Sequence, residues 1–380
     1  MRLAYTPEQE AFRAEVRTWM DANAPKAPLP QLSTPEGFAA HRAWEQALAS
    51  GRWSAVTWPE EYGGRGLDLI RWLIFEEEYW AASSPERANQ NGVFLLAPTL
   101  MEFGTPEQKA RFLPPMAAGT EIWAQAWSEP QAGSDLAAVR STATREGDEY
   151  VLRGHKIWSS RAVFADWAFG LFRTDPASER HKGLSLILFD LRSPGVRVGP
   201  IPQINGYPGF AEIFLEEARV PVANRIGDEG QGWYVCMATA GFERGLMLRS
   251  PGRFQATAAR LLDLARGRKL DATQEAAALQ AVMDAEAYAL SIYAVASDLE
   301  RGGKIGPETS CNKIFWSEMD LALHRAAMSI LGASAELRPE PGEHDWLDGY
   351  LFSLAGPIYA GTNEIQRNII AERVLGLPRG

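Results

Sequence analysis

"VRSTATREGDEYVLRGHKIWSS", residues 139–160, is where the chain changes character. Two runs rich in Val, Thr, Tyr, Leu and Ile flank Glu146-Gly147-Asp148, and turn residues between extended runs predict a β-hairpin. Four more extended segments follow at short spacing: "ADWAFGLFRT" (165–174), "GLSLILFDL" (183–191), "GVRVGPI" (195–201) and "AEIFLEEARV" (211–220). Each is bounded by Gly, Pro or Asp, which predicts a β domain of about 100 residues.

Upstream of the hairpin the pattern is helical. Thr6-Pro7-Glu8-Gln9 and Thr105-Pro106-Glu107-Gln108 both spell a capping box with proline in the first turn. Phe12, Val16, Trp19 and Met20 continue the first at helical spacing. The turn-rich loop "WPEEYGGRGLD" (58–68) precedes another helix, "LIRWLIFEEEYWAASS" (69–84). Its Glu76-Glu77-Glu78 run reads as a solvated face. Downstream, "ATAARLLDLARGRKL" (256–270), "TQEAAALQAVMDAEAYALSIYAVASDLERGG" (273–303) and "CNKIFWSEMDLALHRAAMSILG" (311–332) are long amphipathic helices suited to a bundle. The sequence therefore predicts an α+β chain with an N-terminal helical domain (1–121), a β-barrel-like middle domain (122–225) and a C-terminal four-helix bundle (226–380).

The totals narrow the function. A chain of 380 residues, 46% hydrophobic and 23% charged, has the composition of a globular protein. Its net charge of −10, with arginines scattered, argues against nucleic acid or an anionic membrane surface as partner. The start shows no apolar signal core and no run reaches the roughly 20 residues that span a bilayer, so a cytoplasmic protein is expected. Cys236 and Cys311 lie far apart in apolar helical contexts, which predicts two buried free thiols. The five histidines are isolated, and no metal site is expected.

Three segments carry chemistry. "WSEPQAGSD" (127–135) exposes backbone N–H groups and hydroxyls at one bend, which suits either a cradle for polar ligand atoms or an ordinary crossing loop. In "HKIWSS" (155–160) the tryptophan either closes over a planar ring or belongs to the core. In "GWYVCMATAGFERGLMLRSPGRF" (232–254), Glu243 and Arg244 interrupt an apolar helix. A salt bridge between them is poor geometry, because adjacent helical residues point about 100° apart. A carboxylate near Met237, Phe242, Leu246 and Met247 is expected to have a raised pKa, as suits a base working near neutrality.

Taken with the tail "GPIYAGTNEIQRNIIAERVLGLP" (356–378), these segments resemble the acyl-CoA dehydrogenase family. "SEPQAGSDL", "GHKIWSS", "FADWAFGLFRT", "RVPVANRIGDEGQGW" and "YAGTNEIQRNIIAERVLG" match its motifs in order, over nearly the whole chain. The resemblance implies FAD held between the β domain and the C-terminal bundle. Gln125, Trp127, Ser128, Gly133 and Ser134 would run past the flavin, Trp158, Ser159 and Ser160 would cover its other side, and Thr362 and Glu364 would touch it from the last helix. Ser134, Arg244 and Gly361 would meet the acyl-CoA. The reaction implied is α,β-dehydrogenation to a trans-2-enoyl-CoA, with electrons passed to an electron-transfer flavoprotein.

The family most often places its base directly after the tail tyrosine. Here that residue is Ala360, which cannot take a proton but still offers its backbone N–H to the thioester oxygen. Some members carry the glutamate on the first bundle helix, directly before an arginine, and Glu243 matches that position. Two departures concern the ADP half of FAD. "LARGRKLDATQE" lacks the Arg-Gln-Phe-Gly motif, leaving Arg266 or Arg268 to replace its arginine, and "MSILGASAELRPE" lacks the glycine-rich adenine segment. The combination is similar to a branch acting on bulky side-chain CoA esters, in which two subunits sometimes share a flavin site. A homotetramer or a heterotetramer with a related subunit is therefore expected. The rival readings are a non-catalytic or half-site subunit and a flavin oxidase or monooxygenase on the same fold.

Overall fold

The computed structural model describes residues 4–244, 249–337, 339 and 343–378, apart from the side chains of 242–244. Along the chain its helices are α1 (Pro7–Asn23), α2 (Pro35–Ser50), α3 (Leu69–Ala81), α4 (Ala97–Phe103) and α5 (Pro106–Ala117), then α6 (Gly232–Arg244), α7 (Pro251–Ala265), α8 (Ala272–Glu300), α9 (Thr309–Leu331), α10 (Trp346–Ser353) and α11 (Asn363–Ile369). Between α5 and α6 run β1 (Trp123–Ala126), β2 (Thr142–Glu146), β3 (Glu149–Ser160), β4 (Trp167–Arg173), β5 (Leu184–Asp190), β6 (Val196–Ile201), β7 (Phe210–Pro221) and β8 (Arg225–Ile226). Contacts divide the chain into two compact units. One holds residues 29–66 and 86–243, the other 1–28, 67–85 and 244–380.

The first unit is built on one mixed sheet, ordered β6-β7-β3-β2-β4-β5-β8, with β1 added parallel to β4. The hairpin of β2 and β3 is its centre. Gly147, at φ +64°, makes the tight turn, and β2 and β3 pair from Glu146↔Glu149 to Thr142↔Arg153. The core behind the sheet takes Tyr150, Leu152, Phe172, Ile187, Phe189 and Ile213, each fully or almost fully buried. The long β3 pairs antiparallel with β7, but with an irregularity between Lys156 and Ser159. Lys156 faces Ile213 and Ser159 faces Ala211, so β3 spends one residue more than β7 there, a β-bulge.

The second unit is helical. Thr6 caps α1 through the capping box legible in the sequence, as Thr105 caps α5 in the sheet unit. Gly252 lets α7 rest on α3, since a Cβ there would lie 2.7 Å from the Glu76 carbonyl oxygen. The Glu76–Glu78 run is not a solvated face. Glu76 and Glu78 are buried, and the run is the hub joining α1, α3 and α8. Arg13 reaches Glu77 at 2.7 Å and Glu78 at 2.9 Å, Arg17 reaches Glu78 at 2.8 Å, and Tyr293 donates to Glu77 at 2.6 Å. Glu76 accepts from the Trp80 indole at 3.0 Å. The cysteine expectation also needs correcting. Both thiols are free and Cys236 is buried, but Cys311 is exposed in the first turn of α9.

Candidate active site

In the sheet unit, β1 carries Gln125 and leads directly into Trp127 and Ser128. The chain then folds back tightly, with Glu129 and Ala132 exchanging both backbone hydrogen bonds (3.0 and 2.9 Å). Ser128 accepts from the Ile157 N–H at 2.9 Å, which ties this segment to β3 just before Trp158, Ser159 and Ser160. Two predicted groups, 125–128 and 158–160, thus meet side by side. Gly133 and Ser134 follow the fold-back in exposed positions.

Trp158 is not core. It sits in the bulge with φ +61° and is 56% exposed, its ring edge-on to Phe210 at 5.9 Å. A bulky residue held in the left-handed region is strained, and such strain concentrates where a side chain must be aimed. On the two segments that meet here, three buried polar atoms have no hydrogen-bond partner among the described residues: Gln125 Nε2, Trp127 Nε1 and Ser159 Oγ. An amide, an indole N–H and a hydroxyl left unpaired in one wall would each cost about 1–3 kcal/mol. As donors they fit the carbonyl and nitrogen acceptors at the edge of a flavin ring.

The wall is held by two residues the sequence reading passed over. Lys156 is fully buried and its Nζ donates to Glu129 Oε1 at 2.8 Å, the Leu171 carbonyl at 2.6 Å and the Trp127 carbonyl at 3.3 Å. Glu129 also accepts from the N–H groups of Arg140 (2.7 Å) and Ser141 (2.9 Å). Burial alone would raise the Glu129 carboxyl, but Lys156 and these donors hold it down at about 2. The one signal was Lys156 two residues from Trp158 and Glu129 two from Trp127.

In the helical unit the predicted residues of the tail form one turn. Ala360 (φ +57°) and Gly361 (φ +77°) are both left-handed, and Thr362 caps α11 by accepting from the Ile365 N–H at 3.2 Å. Buried Gln366 donates to the carbonyls of Ala360 (3.0 Å) and Gly361 (3.3 Å), holding the turn by its oxygens. The Ala360 N–H has no acceptor among the described residues. Asn363 accepts from buried Lys313 at 2.8 Å and from Ser317 at 3.1 Å, which anchors the turn to α9. Tyr359, beside Ala360, accepts from Arg249 at 2.8 Å and stacks on Trp316. Glu364 is exposed on α11. Arg268 is exposed beyond the end of α7, and among the described residues no hydrogen bond or ion pair links its side chain to this turn.

Glu243 and Arg244 end α6, and their side chains lie outside the described residues. The helix that carries them is pinned one turn earlier. Thr239 and Thr99, both fully buried, share a hydroxyl–hydroxyl hydrogen bond of 2.8 Å that joins α6 to α4. A π-helical turn, Gly92–Leu96, leads into α4; such turns recur at functional sites. Among the described residues no cluster of three His, Cys, Asp or Glu could hold a metal ion, and no helix is long and apolar enough to cross a membrane.

Residues 6–120, 124–218 and 230–375 match in turn the N-terminal, middle and C-terminal domains of acyl-CoA dehydrogenases. The chain belongs to the acyl-CoA dehydrogenase family. It is 41% identical to the acyl-CoA dehydrogenase IpdE1 of Mycobacterium tuberculosis over 379 residues, covering 97% of this chain and 98% of that one. It is 34% identical to the acyl-CoA dehydrogenase FadE26 of the same organism, covering 100% and 99%. Among solved structures, the ChsE4–ChsE5 complex from Mycobacterium tuberculosis superposes with TM-score 0.84 at 32% identity, covering all of both chains. The steroid acyl-CoA dehydrogenase Tcur3481–Tcur3483 does so with TM-score 0.87 at 26% identity, again over all of both chains. This family member is a flavin-dependent enzyme that dehydrogenates an acyl-CoA thioester. The α+β architecture of helices, sheet and helices is the family's own.

Proposed function

We propose that the flavin is FAD and that the reaction is α,β-dehydrogenation with Glu243 as the base. The observation that carries the cofactor reading is the set of unpaired buried donors Gln125, Trp127 and Ser159 on the two segments joined by the Ile157–Ser128 hydrogen bond, the second of which holds the strained, exposed Trp158. Bound there, the flavin supplies a two-electron acceptor for the β hydrogen and its electron pair. Glu243 takes the α proton, and the electrons of the broken Cα–H bond form the new double bond. The α carbon is a weak acid, so the N–H of Ala360 is assigned to the thioester oxygen, where negative charge develops. Tyr359 and Gln366 keep that N–H aimed from a left-handed turn that no side chain at position 360 has to support. Gly133, Ser134, Ser160, Thr362, Glu364 and Arg268 complete the flavin contacts in this reading, and Ser134, Arg244 and Gly361 those to the acyl-CoA.

The acyl group we assign is a bulky, steroid-derived one, on the strength of the likeness to the steroid acyl-CoA dehydrogenase Tcur3481–Tcur3483. The electrons leave to an electron-transfer flavoprotein, and the enzyme works in the cytoplasm. The domain division at 121/122 and 225/226 belongs to the same proposal. A second reading, a half-site subunit completed by a related chain, is favoured by the heteromeric ChsE4–ChsE5 neighbour and by the absence of the usual ADP-binding arginine motif around exposed Arg268.

One purification separates them. The chain expressed alone should carry FAD, released by denaturation and distinguished from FMN by mass, and should bleach anaerobically with one of a panel of straight-chain, branched and steroid-side-chain acyl-CoAs. Bound FMN would refute the cofactor assignment. Well under one FAD per chain, restored by a related subunit, would favour the half-site reading. Rapid reoxidation in air would favour an oxidase.

A further inference from the structure

The Lys156–Glu129 pair raises a question that stability does not answer. Side-chain exposures of 0% and 3% put both charges out of water, and the ammonium sits 4.9 Å from the centre of the Phe172 ring. Replacing such a pair by neutral groups of similar volume commonly leaves a protein as stable or more so, whereas conformational specificity is the best-attested use of buried charge. What the pair touches is specific. Lys156 bonds the Trp127 carbonyl, Glu129 on the fold-back and the Leu171 carbonyl of β4, while Glu129 also holds the amides of Arg140 and Ser141 at the entry to β2.

The bulge begins at the next residue. Side chains alternate faces along a strand, so without the extra residue in β3 Trp158 would turn from the exposed face into the sheet. The extra residue in β3 has to be kept between Lys156 and Ser159, and a buried ammonium that finds oxygens only at this register keeps it there. The Ile157–Ser128 hydrogen bond then carries the same register across to Trp127 and Gln125.

We infer that Lys156 and Glu129 are positioning residues for the flavin: one buried ion pair sets the register of both segments, 125–128 and 158–160, that form the ring wall. The inference rests on the flavin reading of that wall. The pair touches no reacting atom, and it acts through Trp127, Trp158 and Ser159.

The test is the double variant Lys156→Met/Glu129→Gln. It keeps side-chain length at both positions, leaves no unpaired charge, and retains an amide oxygen to accept from one of the two backbone donors. Holoenzyme and variant are compared for thermal midpoint, visible flavin spectrum and rate of flavin dissociation into a trap. The variant should melt within about 5 °C of wild type but lose flavin about tenfold to a hundredfold faster, as the loss of one or two hydrogen bonds to the ring would give. Its 450 nm band should change shape, and KM for a good acyl-CoA should change less than kcat. A variant that holds flavin at the wild-type rate with the wild-type spectrum overturns the inference. A variant that cannot fold also overturns it, because the pair is then a support of the sheet. A wild-type chain that binds no flavin either alone or with a related subunit refutes the cofactor reading instead, so the two failures are distinct.

Discussion

Removing Lys156 alone should be far more damaging than removing both charges. In Lys156→Met the Glu129 carboxylate stays buried with the amides of Arg140 and Ser141, but the carbonyls of Trp127 and Leu171 lose their donor. Stripping one partner from a buried pair costs about 3–5 kcal/mol. At about 2–4 °C per kcal/mol for a unit of this size, the sheet unit should melt roughly 6–20 °C lower. The acid side gives a sharper signature. Held at about 2, the Glu129 carboxyl lies below its unfolded value near 4.3, so its ionisation stabilises the fold fully above pH 5. That contribution fades as pH falls from about 5 toward 2. Without the ammonium the folded pKa rises, and the variant has less to lose in acid. The gap between wild type and variant should therefore narrow from pH 7 to pH 4. Calorimetric scans at one fixed excess of FAD, with the offset from unequal FAD affinity subtracted, would measure it. Midpoints within about 2 °C of each other at every pH would refute the reasoning.

Two further outcomes follow from the helical unit. Tyr293→Phe removes the hydroxyl that bonds Glu77 at 2.6 Å and Tyr5 at 2.7 Å, and should cost about 1–3 kcal/mol in chemical denaturation, with flavin content unchanged. On α8, Met283 and Leu290 lie two turns apart and are 57% and 50% exposed, an apolar face suited to contact with another subunit. Met283→Glu with Leu290→Glu should move the sedimenting species to a single chain near 42 kDa, and an unchanged assembly would clear that face of the role.

What was legible in the sequence was local. Thr6 and Thr105 show their caps within four residues, and Gly147 marks its hairpin because the strands on either side are continuous. The tail turn could be named from its motif, although its left-handed Ala360 could not. The misreadings share a cause, which is distance along the chain. Glu78 looked solvated because its partners Arg13 and Arg17 come from another helix more than sixty residues earlier. Lys156 carried no signal of its own in the sequence, since only the folded sheet brings Glu129, Trp127 and Leu171 to its ammonium. Trp158 could not be settled by pattern, because a bulge reverses the alternation on which the pattern depends. The four-residue β1 gave no alternation of its own, with Trp123, Ala124 and Ala126 all buried beside β4.

Glu243 carries the chemistry in this account, and one measurement bears on it directly: the anaerobic rate of flavin bleaching on mixing with a good acyl-CoA, for wild type and for Glu243→Gln. The glutamine keeps size and hydrogen bonding and removes the proton acceptor. FAD content should be unchanged and bleaching slower by about 10²–10⁴, the usual contribution of a positioned base. Moving the carboxylate to the tail position, as Glu243→Gly with Ala360→Glu, should restore part of the rate. Bleaching of Glu243→Gln at the wild-type rate would contradict the account and place the base on another residue or another subunit.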